Sequence, residues 1–285
     1  MKPLLLCVLA MTSFVGLSQT PAAHPRLTGI VEVEDVKLAI IQLSSPPRSE
    51  IAFKEGQREG SRNDHLEVFA IDSTQHSVTA DIVTNNHRTT VKLATAGAAT
   101  NHTRAGIVLE EVRLQTVLDL FAQFADRTIL QHPSLPDIKF SLAKAVTNRA
   151  EAAEVLKSAL AEKRIAVVPD GPKFLMVARA EMASKLKPRA VDLVAANSEL
   201  LPPGSINFSS ASLVNVLMIY AEFLGGKLDR NAPPLPDGKV VSRMPIALTK
   251  EECVYALGTL IGWHGVKLVP AGDGTFKCIS TGTER

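Results

Sequence analysis

This chain has few aromatic residues, few cysteines and almost no net charge. Its 285 residues include one Trp, two Tyr, ten Phe and three Cys, and 31 basic side chains are balanced by 29 acidic ones, which leaves a net charge of +2. A nucleic-acid-binding protein usually carries a basic face, and a binder of single strands adds aromatic rings on which bases stack. The sequence shows neither pattern, so we expect no nucleic-acid partner.

Long apolar runs are scarce as well. After a short positively charged start, residues 3–15 form an apolar run, and small residues at 16–18 and again at 22–23 offer cleavage points for a signal peptidase. This run is shorter than the roughly 20 residues that a membrane-spanning helix needs. We predict a signal peptide over residues 1–23, with an uncleaved anchor as the alternative. The mature protein is then expected to be exported to the periplasm and to have no membrane span.

Catalytic signatures are missing too. The sequence contains no Gly-x-Ser-x-Gly, no His-Glu-x-x-His and no phosphate-binding loop. His65, His76 and His87 recur every 11 residues, but zinc needs three or four ligands that converge on one point, and these histidines fall in or beside separate turns. We interpret them as solvated surface residues, and Trp263 as a core residue rather than a carbohydrate platform. We therefore expect no enzyme activity, no metal site and no cofactor.

Cysteine leaves one alternative open. Once Cys7 is removed with the signal peptide, Cys253 and Cys278 remain, the first in a predicted helix and the second in a predicted strand. In an oxidising compartment such a pair can form a disulfide. Both cysteines stand at otherwise apolar positions, which is also typical of two buried free thiols.

What the sequence does contain is an internal repeat, displaced by 99 residues. In the first copy an apolar series has helical spacing, formed by Leu114, Val117, Leu118, Phe121, Ala122 and Phe124. Its counterpart in the second copy is formed by Leu213, Val216, Leu217, Tyr220, Ala221 and Phe223. A second predicted helix follows in each copy, at 151–160 and at 250–260, with Thr147 and Thr249 as predicted N-caps. A predicted hairpin ends each copy, and the repetition determines the expected architecture.

The fold class predicted from these patterns is α+β. We predict a small β domain at 27–93, a linker at 94–104, a first αβ repeat at 105–180, a second linker at 181–203 and a second αβ repeat at 204–281. Within the β domain, Asn85 and Asn86 favour a tight hairpin turn. Each repeat is predicted to read strand, helix, strand, helix, strand, strand. One small sheet covered on one face by two helices would account for the apolar pattern.

The repeated pattern resembles the small periplasmic domains that precede the membrane ring of secretins. The resemblance lies in an opening apolar strand and in a helix of the form Leu-x-x-Val-Leu-x-x-Phe/Tyr-Ala-x-Phe at 114–124 and 213–223. It extends to an Ile-Leu strand at Ile129 and Leu130 and to a hairpin strand Phe-Leu-Met-Val at 174–177. The resemblance implies that each repeat is an interaction domain of the same kind.

The β-rich start is similar to another part of the same machinery. Segments 27–31, 38–41 and 55–57, together with the strands that follow them, resemble the homology-region domain of the type II secretion inner-membrane protein that docks on the secretin. The two resemblances together cover most of the mature chain. The long pore-forming β domain of a secretin has no counterpart in these residues, so we do not expect a channel.

These resemblances imply a non-enzymatic periplasmic scaffold, an accessory component of a secretin-dependent system of the type II secretion or type IV pilus kind. Its expected partners are the secretin, other secretion or pilus subunits, or a second copy of the chain, bound through packing faces or edge strands. A binding module for peptidoglycan or peptide ligands is the alternative. Because the first helix of repeat two is more apolar than that of repeat one, Met218 and Leu224 form the predicted partner surface.

Overall fold

The computed structural model of the chain describes residues 25–43, 50–60, 65–72, 74–84, 87–94, 106–189, 199–229 and 238–281. The predicted signal peptide, the predicted turn at Asn85 and Asn86, most of the first predicted linker and the middle of the second lie outside these residues. The described residues form nineteen strands and four α-helices. The predicted α+β class is confirmed.

Seven strands precede the first helix-containing unit. They are β1 Arg26–Val33, β2 Val36–Gln42, β3 Glu50–Phe53, β4 Arg58–Gly60, β5 His65–Asp72, β6 Ser77–Thr84 and β7 His87–Ala94. Strands β4 to β7 form an antiparallel sheet in chain order, while β1, β2 and β3 belong to a second sheet. Apolar residues are buried on both faces of β2, because this strand lies between two layers of the protein.

Two units of similar element order follow. The first, called unit one, contains β8 Gly106–Arg113, α1 Leu114–Ala125, β9 Thr128–Gln131, β10 Lys139–Ala145, α2 Arg149–Glu162, β11 Ile165–Asp170, β12 Phe174–Arg179 and a 3-10 helix Ala180–Lys185. The second, unit two, contains β13 Leu200–Leu201, β14 Asn207–Ser212, α3 Leu213–Phe223, β15 Lys227–Leu228, β16 Lys239–Arg243, β17 Leu248–Thr249, α4 Lys250–Trp263, β18 Val266–Gly272 and β19 Thr275–Ser280.

Helix starts follow local side-chain chemistry. Thr249 caps α4 as predicted, since its hydroxyl accepts a hydrogen bond from the Glu252 N–H at 3.2 Å and the Glu252 carboxylate accepts one from the Thr249 N–H. The N-cap of α2 is Asn148 rather than the predicted Thr147, and its side chain accepts from the Glu151 N–H at 2.8 Å. The adjacent Thr147 instead donates its hydroxyl to the Glu151 carboxylate.

The expectation of one sheet per repeat is wrong, because the strands of unit one divide between two sheets and those of unit two among three. In unit one β8 pairs with β10, while β11, β12 and β9 form a separate sheet in that order. The corresponding sheets of unit two are β14 with β16, and β15, β19 and β18 in that order. A third sheet of unit two pairs β13 with β17. Helices α1 and α2 pack against both sheets of unit one within one core. The physical reason is the width of the apolar face of α1, where eight of twelve residues are buried and need cover on two sides.

The predicted boundary between the β domain and repeat one is not a boundary in the fold. Strand β8 of unit one pairs with β1, which gives a five-stranded sheet in the order β10, β8, β1, β2 and β3. One face of this sheet packs on α1 and α2, and the other packs on β5 and β6. Gly29 permits the close approach of β1 to β8, because a Cβ there would lie 2.7 Å from the carbonyl oxygen of Val108.

Unit one and unit two share a second core. Phe174, Met176 and Ala178 of β12 point away from α1 and α2 and pack among residues of α3 and α4. This explains why β12 is buried over five consecutive residues, since each of its faces contacts a helical layer. Among the described residues, no helix is both long enough and apolar enough to cross a membrane.

Candidate functional site

Polar side chains fasten unit one to unit two at the start of α4. The ammonium of Lys173 donates to a carboxylate oxygen of Glu252 at 2.8 Å. The same oxygen accepts the N–H of Thr249 at 2.8 Å, so one carboxylate serves both the helix cap and the junction. Because Glu252 is buried, its charge needs both partners, and this contact fixes the position of α4 against the hairpin of unit one.

A second polar contact lies deeper in the junction. Asp170 is completely buried, and one of its oxygens accepts the hydroxyl of Tyr255 at 2.5 Å while the other accepts the N–H of Arg189 at 2.8 Å. Burial, followed by the hydrogen bond to Asp170, raises the pKa of Tyr255 to about 12, so the hydroxyl stays protonated as a donor. The Tyr255 ring also packs on Phe174, with ring centroids 5.5 Å apart.

A third contact joins α1 to β16. The guanidinium of Arg243 lies 2.7 Å from the Asp119 carboxylate, which also accepts the side-chain amide of Gln115 at 3.0 Å. Burial raises the pKa of Asp119 to about 6, and Arg243 and Gln115 act in the opposite direction. Desolvation therefore outweighs the ion pair at this position.

A cleft of about 670 Å³ lies between the two units. One wall is formed by the 3-10 helix and the segment that follows it, with Lys185, Lys187 and Arg189. The opposite wall is formed by α4 and the start of β18, with Trp263 and Lys267. We call this feature the junction cleft. No local sequence pattern predicts this cleft, because it is formed by residues from separate elements that the packing of the two units brings together.

The predicted partner surface is an exposed helix face and not a cleft. Met218 of α3 is 49% exposed and Leu224, just after the helix, is 37% exposed. Val214 is 44% exposed and stands one turn before Met218 on the same face, but it was not predicted. Its spacing of four residues from Met218 is the signal that would have identified it. We call Val214 and Met218 the α3 patch.

Cys253 and Cys278 are free thiols in this structure. Cys253 and Cys278 are both buried in the core of unit two, and no bridge joins them. Burial raises the pKa of both thiols, for Cys253 to about 11 with further contributions from Glu252 and Glu251. Thiols held in the protonated form are poor nucleophiles, so neither cysteine has the setting of a catalytic group.

Three sequence interpretations of polar and aromatic residues need correction. His76 is buried in a left-handed turn, and the two ring nitrogens of His65 are buried without a described partner, so these histidines are not solvated. The side chain of His87 lies outside the described residues. Trp263 is half-buried at the junction cleft and contacts the ring of His132 at 5.2 Å between centroids. No group of potential metal ligands occurs in the part of the chain that the structure describes.

Comparison with known proteins adds no family assignment to this geometry. No protein-family model matches the chain, and no curated protein matches it.

Proposed function

We propose that this protein is a non-enzymatic periplasmic scaffold that acts as an accessory component of a secretin-dependent system, either type II secretion or a type IV pilus-like assembly. The α3 patch is its contact surface for a secretin or another subunit of that system. The sequence resemblance to secretin N-terminal domains supports the class of partner. The lower burial of α3 than of α1 supports the choice of the α3 patch as the contact surface.

The observation that carries this proposal is the difference in cover between α1 and α3. Glu50 of β3 accepts the Thr116 hydroxyl and the Arg113 N–H, so the start of α1 is covered by the first strands of the chain. The residues of α3 that correspond to Gln115 and Asp119 of α1 are Val214 and Met218, and they are exposed. A partner that covers α3 would bury the exposed halves of two apolar side chains, each worth roughly 0.7–1.5 kcal/mol.

An open strand edge lies next to the α3 patch. In unit one β8 pairs with β10 on one side and with β1 on the other. In unit two β14 pairs with β16 on one side, and no described strand pairs with its other side. A partner can therefore supply a strand along β14 as well as cover for α3, which is a common mode of protein recognition.

A photocrosslinking experiment tests the proposal. A photoreactive amino acid replaces Met218 in the mature chain, and crosslinked products from the periplasm of the source organism are identified by mass spectrometry. A secretin or pilus subunit as the main product supports the proposal. Retention of the protein on isolated cell wall, with no such subunit recovered, contradicts the proposal and favours the peptidoglycan-binding alternative.

A matched pair of variants separates contact from folding. Met218→Asp places a charge in the α3 patch, whereas Asn215→Asp places the same charge on a neighbouring exposed residue of the same helix. In both variants the photoreactive amino acid stands at Val214, the other residue of the α3 patch. We expect the first variant to lose the crosslinked partner while its circular dichroism spectrum and urea midpoint stay unchanged. Equal partner recovery by both variants would exclude the α3 patch as the contact surface.

A further inference from the structure

The junction cleft has the dimensions of a ligand site. Its volume of about 670 Å³ falls within the range of roughly 300–1,000 Å³ that ligand pockets usually span. It is held open by two units that are fixed to each other through Lys173, Glu252, Asp170 and Tyr255. A cleft with rigid walls can bind a ligand with little reorganisation.

The charges of the junction cleft have one sign. Lys185, Lys187, Arg189 and Lys267 line it, and no aspartate or glutamate is among the described residues that do so. Like charges on the walls of a cleft concentrate the electrostatic potential there and attract the opposite charge. For a chain with a net charge of only +2, this local excess of positive charge is pronounced.

The arrangement of these cations favours an extended ligand over a small anion. Lys187 and Arg189 alternate with other residues in a non-helical stretch, and Leu186 before them is buried with extended backbone angles. Alternate residues of an extended chain lie about 6.6 Å apart, so the charges follow a line instead of converging on one point. Carboxylates on alternate residues of an extended peptide repeat at the same distance.

The opposite wall offers an open strand edge. The Thr281 N–H donates to the Gly265 carbonyl at 2.8 Å, and the register of β18 with β19 continues from that pair. Because bonded and outward residues alternate in an antiparallel pair, Val266 and Leu268 direct their N–H and C=O groups away from β19. No described strand pairs with this edge. Pro270 takes the next outward position, where the missing N–H is tolerated.

Aromatic side chains complete the site. Tyr220, Tyr255 and Trp263 line the cleft beside the cationic residues. They give an extended peptide flat surfaces for its apolar side chains, at a low cost in conformational entropy. Trp263 is the single tryptophan of the chain, so its fluorescence reports on the cleft without a label.

We propose that the junction cleft binds an extended acidic peptide segment of a partner protein, which adds as a strand to the open edge of β18. Its carboxylates contact Lys187, Arg189 and Lys267, and its alternate side chains contact the aromatic wall. This binding uses residues other than the α3 patch and does not depend on the secretion role proposed above.

The test is a titration of the mature chain followed by Trp263 fluorescence. The probe is a capped octapeptide of alternating Glu and Val, compared with the same peptide carrying Lys in place of Glu, and with citrate as a small polyanion. We expect saturable binding of the acidic peptide below about 1 mM, with at least about tenfold weaker binding of the other two. Absence of saturable binding up to about 1 mM, or equal binding of the Lys peptide or of citrate, overturns the proposal.

Variants and a modified peptide test the two kinds of contact separately. Lys267→Glu should weaken binding of the acidic peptide by about tenfold, while Lys227→Glu, on the exposed β15 at the other edge of the same sheet, should change it by less than about twofold. An acidic peptide with N-methyl groups on alternate residues cannot pair with β18 and should bind at least about tenfold more weakly. Equal effects of the two substitutions, or unchanged binding of the methylated peptide, contradict the site.

Discussion

Strands β12 and β19 occupy the same place in the two units and face opposite surroundings. The inter-unit face of β12 carries Phe174, Met176 and Ala178, all buried against unit two. The same positions in β19 carry Thr275, Lys277 and Ile279, none of them buried. Thr275 and Lys277 are polar and Ile279 is 42% exposed, so this face of β19 is not packed against a further layer as the corresponding face of β12 is.

The first helices of the two units, α1 and α3, also differ in how much of their surface is buried. Helix α1 buries eight of its twelve residues, whereas α3 buries four of eleven. Cover from β3 and from Arg243 accounts for the greater burial of α1. The two units therefore differ at two places. The outer face of β12 in unit one packs on unit two, whereas the same face of β19 is not buried. Helix α1 is covered by neighbouring elements, whereas α3 leaves one face exposed. That asymmetry places the α3 patch on unit two.

The largest effect should come from moving the charge of β19 into β12. Met176→Lys buries an ammonium between two apolar layers, and we expect it to lower the free energy of unfolding by about 3 kcal/mol or more. The reciprocal Lys277→Met changes an exposed side chain and should alter it by less than about 0.5 kcal/mol. Urea denaturation followed by circular dichroism measures both. Similar losses in the two variants would mean that β12 and β19 do not differ as described.

An intermediate effect is expected at the junction. Tyr255→Phe removes the hydroxyl that donates to the buried Asp170, and it should cost about 1–3 kcal/mol because the buried carboxylate loses a hydrogen bond. Tyr220→Phe is the control, since no described residue forms a hydrogen bond with its hydroxyl. The urea midpoints of the two variants should differ accordingly. A larger loss in Tyr220→Phe would contradict the proposed importance of Asp170.

A pH-dependent effect is expected at Asp119, the counterpart of Met218. Its pKa of about 6 exceeds the ordinary value of 3.8, so the folded protein binds this proton more tightly than the unfolded chain. The resulting stability is complete below pH 3.8 and is lost as the pH rises through about 6. Asp119→Asn should therefore gain stability relative to the unaltered protein between pH 4 and pH 8, on the order of 1 kcal/mol. Urea denaturation at both pH values measures the stability difference between the variant and the unaltered protein. A difference that is the same at pH 4 and pH 8, or that changes in the other direction, would refute this prediction.

The smallest effect on stability is expected in the α3 patch. Val214→Asp and Met218→Asp, combined in one chain, should change the free energy of unfolding by less than about 0.5 kcal/mol each, because both side chains are already half exposed. Thermal unfolding measures this, with the buried Leu217→Asp as a contrasting variant that should unfold the chain. A large loss in the double variant would show that the patch belongs to the core of unit two.

Several features of the fold could be predicted from the sequence because their signals are local. The apolar spacing from Leu114 to Phe124 predicts α1, and the same spacing 99 residues later predicts α3. The Thr249 cap with Glu252 three residues later predicts the start of α4. Met218 and Leu224 could be named as exposed apolar residues, and the spacing of four residues from Met218 is the signal by which Val214 could have been added to them.

Other features could not be predicted because they depend on contacts between distant residues. The pairing of β1 with β8, the division of each unit among separate sheets, and the burial of His76 all result from long-range packing. The junction cleft depends on contacts such as that of Lys173 with Glu252, which lie 79 residues apart in the chain. Residues brought together in this way leave no periodic trace in the sequence.

The sequence alone determined the helices, most strands and the duplication, because hydrophobic spacing and helix caps act over a few neighbouring residues. The tertiary structure decided which strands share a sheet and which faces of the two units are buried. Strand pairing is a choice among many partners of similar local character, and it is settled by the total apolar surface that each arrangement removes from water. The two units therefore carry one pattern and differ in what covers them.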